Sequence, residues 1–129
     1  MSSPNNCRYL ETHEWARKDG DAIVVGITQH AVDQLGELVF CQFKKKAGDR
    51  VTKREPFGEI ESVKAVSDLN SPVNGVVLEV NAAVPDALHL VQQDPHNAGW
   101  MLRVKPDAAS GYDDLLDAAA YDKHAAAEH

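Results

Sequence analysis

The sequence is poor in basic residues, and this shortage excludes two large classes of partner. Lysine and arginine together number 13 against 20 aspartate and glutamate residues, which gives a formal net charge of −7. An acidic surface repels the phosphates of nucleic acids and the head groups of anionic lipids. The chain also lacks any run of the roughly 18 apolar residues that a membrane-spanning helix needs. We therefore expect neither nucleic acid nor a membrane as a partner.

Cysteine is scarce as well, and the usual catalytic motifs are missing. The two cysteines, Cys7 and Cys41, stand in no CxxC or Cys/His spacing, so the sequence predicts neither a zinc site nor a disulfide scaffold. His13-Glu14 opens no HExxH motif, because the fourth residue after His13 is Arg17. Neither a GxSxG elbow nor a P-loop occurs. We therefore predict a protein without catalytic residues or bound metal, and the enzyme alternative, a small hydrolase, has no candidate nucleophile.

The length of the chain suits one domain with one hydrophobic core. It has 129 residues, of which 43% are hydrophobic. We predict a single domain over 1–129, with a core of about 8–105 and a C-terminal helical segment of about 110–124. The apolar residues that recur at helical spacing in that segment are Tyr112, Leu115, Leu116 and Ala119. Residues 125–129 are expected to fray.

Two strands and a short helix are predicted in the first third of the chain. The β-branched run Ala22–Ile27 follows turn-forming residues and indicates a strand. Thr28 is a suitable N-cap and Gly36 a suitable stop for a short helix between them. Leu38–Phe43 returns to strand character.

The middle of the chain has the pattern of an all-β unit. Short apolar runs over 57–80 are separated by turn residues, and Asn74-Gly75 is the strongest hairpin signal among them. A helical turn is expected over 85–92 and a last strand over 100–104. The predicted fold class is therefore mainly β, with a short internal helix and a C-terminal helix.

Lys64 lies in a distinctive segment, although composition and periodicity alone leave it an ordinary surface lysine. Its neighbours form the block Glu61-Ser62-Val63-Lys64-Ala65-Val66-Ser67-Asp68, with Ser71-Pro72-Val73-x-Gly75 downstream. Three further blocks flank this segment: Tyr9-x-x-x-His13-Glu14-Trp15, Gly26-Ile27-Thr28-x-x-Ala31-x-x-x-Leu35-Gly36-x-Leu38-Val39, and Asp94-Pro95-x-x-x-Gly99-Trp100.

In this order the four blocks resemble the glycine cleavage system H protein family along most of the chain. The resemblance implies a lipoyl-domain-like β-sandwich, a flattened barrel, with Lys64 at the tip of a hairpin. It also implies that Lys64 is the covalent attachment point of lipoate and that the protein is a carrier without catalytic activity. The chain departs from the family at Asn70, where an aromatic residue often stands, and this affects the surface near the lipoyl arm.

The resemblance also suggests which residues serve the arm. The aminomethyl group carried by the arm is cationic, and a carboxylate in a cleft would hold its ammonium by a charge-assisted hydrogen bond. Glu14 is the first candidate for that carboxylate, with Thr12 and Asp68 as weaker ones; the alternative for Glu14 is a structural hydrogen bond. Glu61 and Ser67 offer polar edges for recognition by the lipoylating enzyme.

Four partners follow from the resemblance. Pyridoxal-phosphate-dependent glycine decarboxylase loads the aminomethyl group of glycine onto the arm, and a tetrahydrofolate-dependent aminomethyltransferase removes it. Dihydrolipoamide dehydrogenase reoxidises the dithiol, and a lipoate-attaching enzyme installs the arm. We expect a monomer and, because the start of the chain lacks the pattern of a signal peptide, the cytoplasm of a bacterium.

Other carrier functions are weighed against this one. A biotin carrier usually has methionine on both sides of its lysine, where Val63 and Ala65 stand here. A lipoyl domain of a 2-oxo acid dehydrogenase has an aspartate before the lysine and belongs to a longer chain with linkers. A relay protein that donates lipoyl groups to other proteins stays open, because the same lysine segment serves it equally well.

Overall fold

Two antiparallel sheets form most of the molecule. The structure, a computed structural model, describes residues 3–127. Its strands are β1 (Arg8–Tyr9), β2 (Glu14–Asp19), β3 (Ala22–Ile27), β4 (Leu38–Phe43), β5 (Arg50–Val51), β6 (Pro56–Ser62), β7 (Val66–Asn70), β8 (Gly75–Val80) and β9 (Leu102–Pro106). The first sheet has the order β1-β2-β3-β9-β8-β5 and the second the order β4-β6-β7. This arrangement agrees with the predicted mainly-β sandwich.

Three α-helices and two 3₁₀ turns complete the described chain. The helices are α1 (Gln29–Leu35), α2 (His89–Gln93) and α3 (Ala118–Ala127), and the 3₁₀ turns are Val84–Asp86 and Tyr112–Asp114. No helix within residues 3–127 is both long and apolar enough to cross a bilayer.

The main core lies between the sheets, and the strand patterns show why. All six residues of β3 are buried, because this strand has sheet neighbours on both sides and side chains packed on both faces. In β6, buried residues alternate with less buried ones after Gly58, so that Ile60 faces the core while Glu59 and Glu61 face outward. A second, smaller cluster packs α3 against the other face of the larger sheet. Its buried members are Cys7, Tyr9, Trp15, Val24, Ala118, Tyr121 and Ala125.

Helix α1 begins and ends at the predicted residues. The Thr28 hydroxyl accepts a hydrogen bond from the backbone N–H of Ala31 at 3.1 Å, which satisfies a donor of the first turn. Gly36 takes a φ of +78°, a left-handed value that favours glycine, and its N–H donates to the carbonyl of Val32. The helix is therefore bounded by two local signals of the sequence.

The predicted hairpin at Asn74-Gly75 is wrong. Strand β7 belongs to the smaller sheet and β8 to the larger one, so the chain crosses between sheets where a tight reversal was expected. The crossing segment is anchored in the core, since Val73 is fully buried and its N–H donates to the Ser71 hydroxyl at 3.3 Å. The side chain of Asn74 instead accepts from the backbone N–H of Lys53 at 2.7 Å.

The C-terminal segment also differs from the prediction. Leu115 has an extended backbone, with φ −76° and ψ 157°, and ends the 3₁₀ turn. Helix α3 starts only at Ala118, where the carboxylate of Asp117 accepts from the N–H of Ala120 at 2.8 Å. Residues 125–127 are helical, contrary to the expected fraying, while residues 128 and 129 lie outside the described part of the chain. The last strand begins at Leu102, two residues later than expected.

Candidate functional site

Lys64 lies in the turn that joins β6 and β7, as predicted. The last paired residues of the two strands are Glu61 and Val66. The Ser62 hydroxyl, in a side chain that is 4% exposed, accepts from the backbone N–H groups of Lys64 at 3.3 Å and of Ala65 at 3.1 Å. The Ser62 N–H in turn donates to the Ala65 carbonyl at 2.8 Å. One buried serine therefore holds the backbone of the turn, a role that the sequence analysis did not assign.

The side chain of Lys64 is exposed, and the turn beneath it is supported from α1. None of the ion pairs formed within residues 3–127 involves Lys64. The N–H of Val63 donates to the carbonyl of Glu37 at 3.0 Å, and a Cβ atom added to Gly36 would lie 3.9 Å from Lys64 Cε. A reachable amine on a fixed backbone is what covalent attachment of an acyl group requires, so these residues fit a lipoyl group.

Glu14 is a buried carboxyl group with two hydrogen-bond donors. Its side chain is 1% exposed. One oxygen accepts from the Thr12 hydroxyl at 2.5 Å, and the other accepts from the backbone N–H of Asn70 at 2.8 Å. Burial raises the pKa of Glu14 to about 7, although the hydrogen bonds from Thr12 and Asn70 act in the opposite direction. The nearby charge of Asp68 raises the pKa slightly further.

Helix α1 and strand β7 each run between the surroundings of Glu14 and the lysine turn. Helix α1 starts beside Glu14, since the Thr28 N–H donates to the His13 carbonyl at 3.0 Å, and it ends at Gly36 beside Lys64. At 1.5 Å per residue this helix spans about 12 Å. Strand β7 starts at the turn and ends at Asn70, whose backbone N–H donates to Glu14. At 3.3 Å per residue this strand spans about 13 Å. The lysine turn and the Glu14 carboxyl are therefore separated by a distance of that order.

The predicted site residues fall into two groups. Glu61 and Ser67 flank the lysine turn on β6 and β7, and Ser67 is exposed. Thr12 and Asp68 accompany Glu14, and both are exposed while Glu14 is not. The departure from the family at Asn70 leaves the hydrogen bond to Glu14 in place, because the donor is the backbone N–H of Asn70 and not its side chain.

Helix α3 supports the segment before Glu14 through a buried hydroxyl. The Tyr121 hydroxyl lies 2.7 Å from His13 Nδ1 and 2.7 Å from the Thr28 hydroxyl. His13 has a φ of +80°, an uncommon value for a residue other than glycine, and this contact holds it there. Tyr121 was not anticipated because it lies 108 residues from His13 in the chain.

The two tryptophan-containing landmarks meet in a structural contact. The indole N–H of Trp15 donates to the Pro95 carbonyl at 3.1 Å, and its ring stacks on His96 with centroids 5.5 Å apart. The guanidinium of Arg17 lies 4.9 Å from the centroid of the same ring. Gly26 is required beneath it, since a Cβ atom there would stand 2.6 Å from the indole. Trp15 and the Pro95–His96 step therefore serve the packing of the fold.

Comparisons with known proteins agree with the geometry. A family model described as glycine cleavage H-protein matches residues 7–128. A glycine cleavage system H protein of Anaeromyxobacter sp. (strain K) is 46% identical over 121 residues, which cover 94% of each chain. A mitochondrial one from Oryza sativa subsp. indica is 45% identical over 117 residues, 91% of this chain and 71% of that protein. The crystal structure of a glycine cleavage system H protein from Mycobacterium marinum matches with a TM-score of 0.85 and 40% identity, covering 94% of this chain and 97% of that one.

Proposed function

The chain belongs to the glycine cleavage H-protein family, whose members are non-catalytic lipoyl carriers of glycine cleavage, and on this premise we propose that Lys64 bears the lipoyl group in amide linkage. The observation that carries the proposal is the position of Lys64: an exposed side chain on a hairpin turn whose backbone is held by Ser62. The matching segments of the chain on both sides of this lysine support the same assignment.

In this role the chain supplies an anchor and leaves the chemistry to the cofactor and the partners. The Lys64 amine forms the amide with an activated lipoyl donor, whose leaving group departs as the nitrogen loses a proton. When bound, the lipoyl group supplies a disulfide that accepts the aminomethyl group of glycine and is regenerated by oxidation. The contacts of Ser62 and Glu37 keep the root of the arm in place. Because the arm is tethered covalently, a docked partner meets it at high effective concentration.

Glu14, Asp68 and Thr12 form the proposed resting site for the cationic end of the arm. An ammonium suits this site because the charge on Asp68 and the ionised form of Glu14 would both attract it. Asp68 is exposed and is the first of the two carboxylates that an approaching cation meets. Thr12 is exposed as well, and its hydroxyl would have to release the Glu14 oxygen that an ammonium takes.

The family places the chain in a system with several components, and we assign the particular partners as follows. Glycine decarboxylase loads the arm, the aminomethyltransferase unloads it, dihydrolipoamide dehydrogenase reoxidises it, and a lipoate-attaching enzyme installs it with recognition of Glu61 and Ser67. The chain acts as a monomer in the bacterial cytoplasm. Sedimentation of the purified protein tests whether it is a monomer. Fractionation of the native host tests whether it lies in the cytoplasm.

Intact mass of the protein from its native host tests the attachment site. We expect an addition of lipoyl size that maps to Lys64 by peptide sequencing, and no addition in Lys64→Arg, which keeps the charge. A native pool without modification, or modification that persists in Lys64→Arg, would overturn the proposal. Glycine-dependent release of CO₂ with the purified partners separates glycine cleavage from a lipoyl relay, since a relay protein releases none even when fully lipoylated.

A further inference from the structure

A cleft of about 660 Å³ opens between the helices α1 and α3. Helix α1 lines it with Gln29, His30 and Asp33, and α3 lines it with Tyr121 and Asp122. Its volume lies within the range of about 300 to 1,000 Å³ that small-molecule sites occupy. Neither the lysine turn nor the Glu14 group contributes a described lining residue, so the cleft is a separate feature of the molecule.

Hydrogen bonds hold the walls of this helix cleft in place. Asp122 accepts from the backbone N–H of Ser3 at 3.1 Å and from its hydroxyl at 2.5 Å, which fixes Ser3 against α3. The side-chain amide of Gln29 donates to one oxygen of Asp33 at 2.8 Å. Within residues 3–127 the other oxygen of Asp33 accepts no hydrogen bond, so it is available to a ligand. Walls that are already ordered lose little conformational freedom when a ligand binds.

The described lining of the helix cleft is negative and partly apolar. Asp33 and Asp122 are its carboxylates, and none of the described lining residues is a lysine or an arginine. Pro4, Ala125 and Ala126 supply apolar surface beside them. Carboxylates bind ammonium groups by charge-assisted hydrogen bonds and repel anions. This lining therefore suits a compound with one cationic end and an apolar body.

His96 adds a polar atom to the lining. Its Nδ1 is buried and makes no hydrogen bond within the described part of the chain. Burial, assisted by the charge of Arg17, lowers the pKa of His96 to about 4, so at neutral pH the ring is neutral and one of its nitrogens can accept. A half-turn of the ring about Cβ–Cγ exchanges its nitrogen and carbon positions and preserves the stacking on Trp15. A donor in the helix cleft can therefore supply the partner that this imidazole lacks.

We propose that the helix cleft binds a small organic ammonium compound, whose nitrogen lies against Asp33 and whose apolar body lies against Pro4 and Ala125. The proposal does not depend on lipoylation of Lys64. A ligand that contacts both helices restrains the pair whose Thr28–Tyr121 contact supports the segment before Glu14. An amine bound here therefore acts on the carrier from outside the site of its arm.

Titration of the full chain with phenethylamine, followed by NMR at neutral pH, tests the helix cleft. We expect the backbone amides of Gln29 and Ala125 to shift with a dissociation constant of about 1 mM, a value typical of a ligand with so few atoms. Phenethyl alcohol and phenylacetate replace the ammonium by a hydroxyl and a carboxylate. Both should bind about tenfold more weakly, because neither brings a cation to the carboxylates.

Variants identify the groups that hold the amine. Asp33→Asn should raise the dissociation constant about tenfold and His96→Phe about threefold, since the phenylalanine keeps the stacking and loses the acceptor. Asp86→Asn is the matched control: Asp86 is exposed on the 3₁₀ turn and outside the described lining, and its loss changes the net charge by the same amount. The control should bind as the wild type does. Thermal unfolding checks that all three variants are folded.

Three results would overturn the helix cleft as an ammonium site. The first is the absence of shifts at about tenfold the expected dissociation constant. The second is equal binding of phenethyl alcohol, or an equal loss of binding in Asp33→Asn and Asp86→Asn, because attraction to the overall charge would then suffice. The third is a set of shifts centred on Asp68 and Asn70 that disappears in Glu14→Gln, which would place the amine at the proposed resting site of the arm. None of these results bears on the attachment of lipoate to Lys64.

Discussion

At the scale of single residues, Glu14 has the most unusual environment. A carboxyl group that is 1% exposed loses most of its hydration, and the two hydrogen bonds that it accepts compensate only in part. Its pKa is therefore about 7, against an ordinary value of 4.5. The neutral form is favoured by folding, so this residue makes the stability of the protein depend on pH.

We predict that Glu14→Gln flattens the pH dependence of stability between about pH 4.5 and 7. A pKa raised by folding gives stability that is complete below the unfolded value and is lost as pH rises through the folded value. The loss in the wild type is roughly 3 kcal/mol at most over this window. Glutamine keeps both hydrogen bonds, as its oxygen accepts from Asn70 and its amide donates to Thr12. Urea unfolding at a series of pH values measures the difference.

Glu55→Gln is the control for this prediction, since Glu55 is exposed and contributes only backbone groups to its hydrogen bonds. For Glu55→Gln, the plot of unfolding free energy against pH should run parallel to that of the wild type. Parallel curves for Glu14→Gln as well would show that folding does not raise the pKa of Glu14.

At the scale of elements, the hairpin β6–β7 and helix α1 together position the lysine turn. The turn is held from within by Ser62 and from outside by the carbonyl of Glu37, which follows α1. Two independent contacts therefore fix the root of the arm, although the lysine side chain itself is exposed.

We predict that Ser62→Ala loosens the turn. The substitution removes the acceptor for the N–H groups of Lys64 and Ala65 and costs about 1 kcal/mol. Amide hydrogen exchange at these two positions should become about fivefold faster, measured by NMR. The control is Ser67→Ala, because Ser67 is exposed and its hydroxyl makes only a long bond to the next carbonyl. Equal exchange in both variants would show that the hydroxyl does not hold the turn.

Elements with strong local signals were predicted, whereas those decided by distant contacts were not. Helix α1 follows from the capping ability of Thr28 and the left-handed tendency of Gly36. Asn74-Gly75 carries an equally strong local signal, but the burial of Val73 sends the chain to the other sheet. The family resemblance supplied Lys64, and residue patterns alone could not, because nothing local separates it from other exposed lysines.

At the scale of the whole molecule, α3 joins the end of the chain to the candidate site. Its Tyr121 hydroxyl bridges His13 and Thr28, the residues that precede Glu14 and α1. Its ring also stacks on Tyr9 with centroids 4.5 Å apart. The C-terminal helix is therefore a part of the support for the arm's proposed resting site. Sequence patterns could not predict this link, since it depends on how α3 packs.

We predict that Tyr121→Phe destabilises the whole domain. The phenylalanine ring preserves the stacking, but the buried groups of His13 and Thr28 lose a hydrogen-bond partner, at a cost of about 2 kcal/mol. Urea unfolding measures the change. Tyr112→Phe is the control: its partly buried ring keeps the contacts with Arg8 and Lys18, and the hydroxyl loses only a hydrogen bond to the Lys18 backbone, so a smaller loss of stability is expected. Equal stability of Tyr121→Phe and the wild type would contradict the bridging role.

The buried carboxyl of Glu14 is also a group that is partly protonated at neutral pH. With a pKa of about 7, roughly half of the molecules hold a proton on Glu14 at neutral pH. A cation bound at the proposed resting site would favour the ionised form of Glu14, so each binding event would release on average about half a proton into the solvent. We therefore expect the heat of cation binding to vary with the ionisation enthalpy of the buffer, because at the proposed site the cation and the proton compete for the same carboxylate.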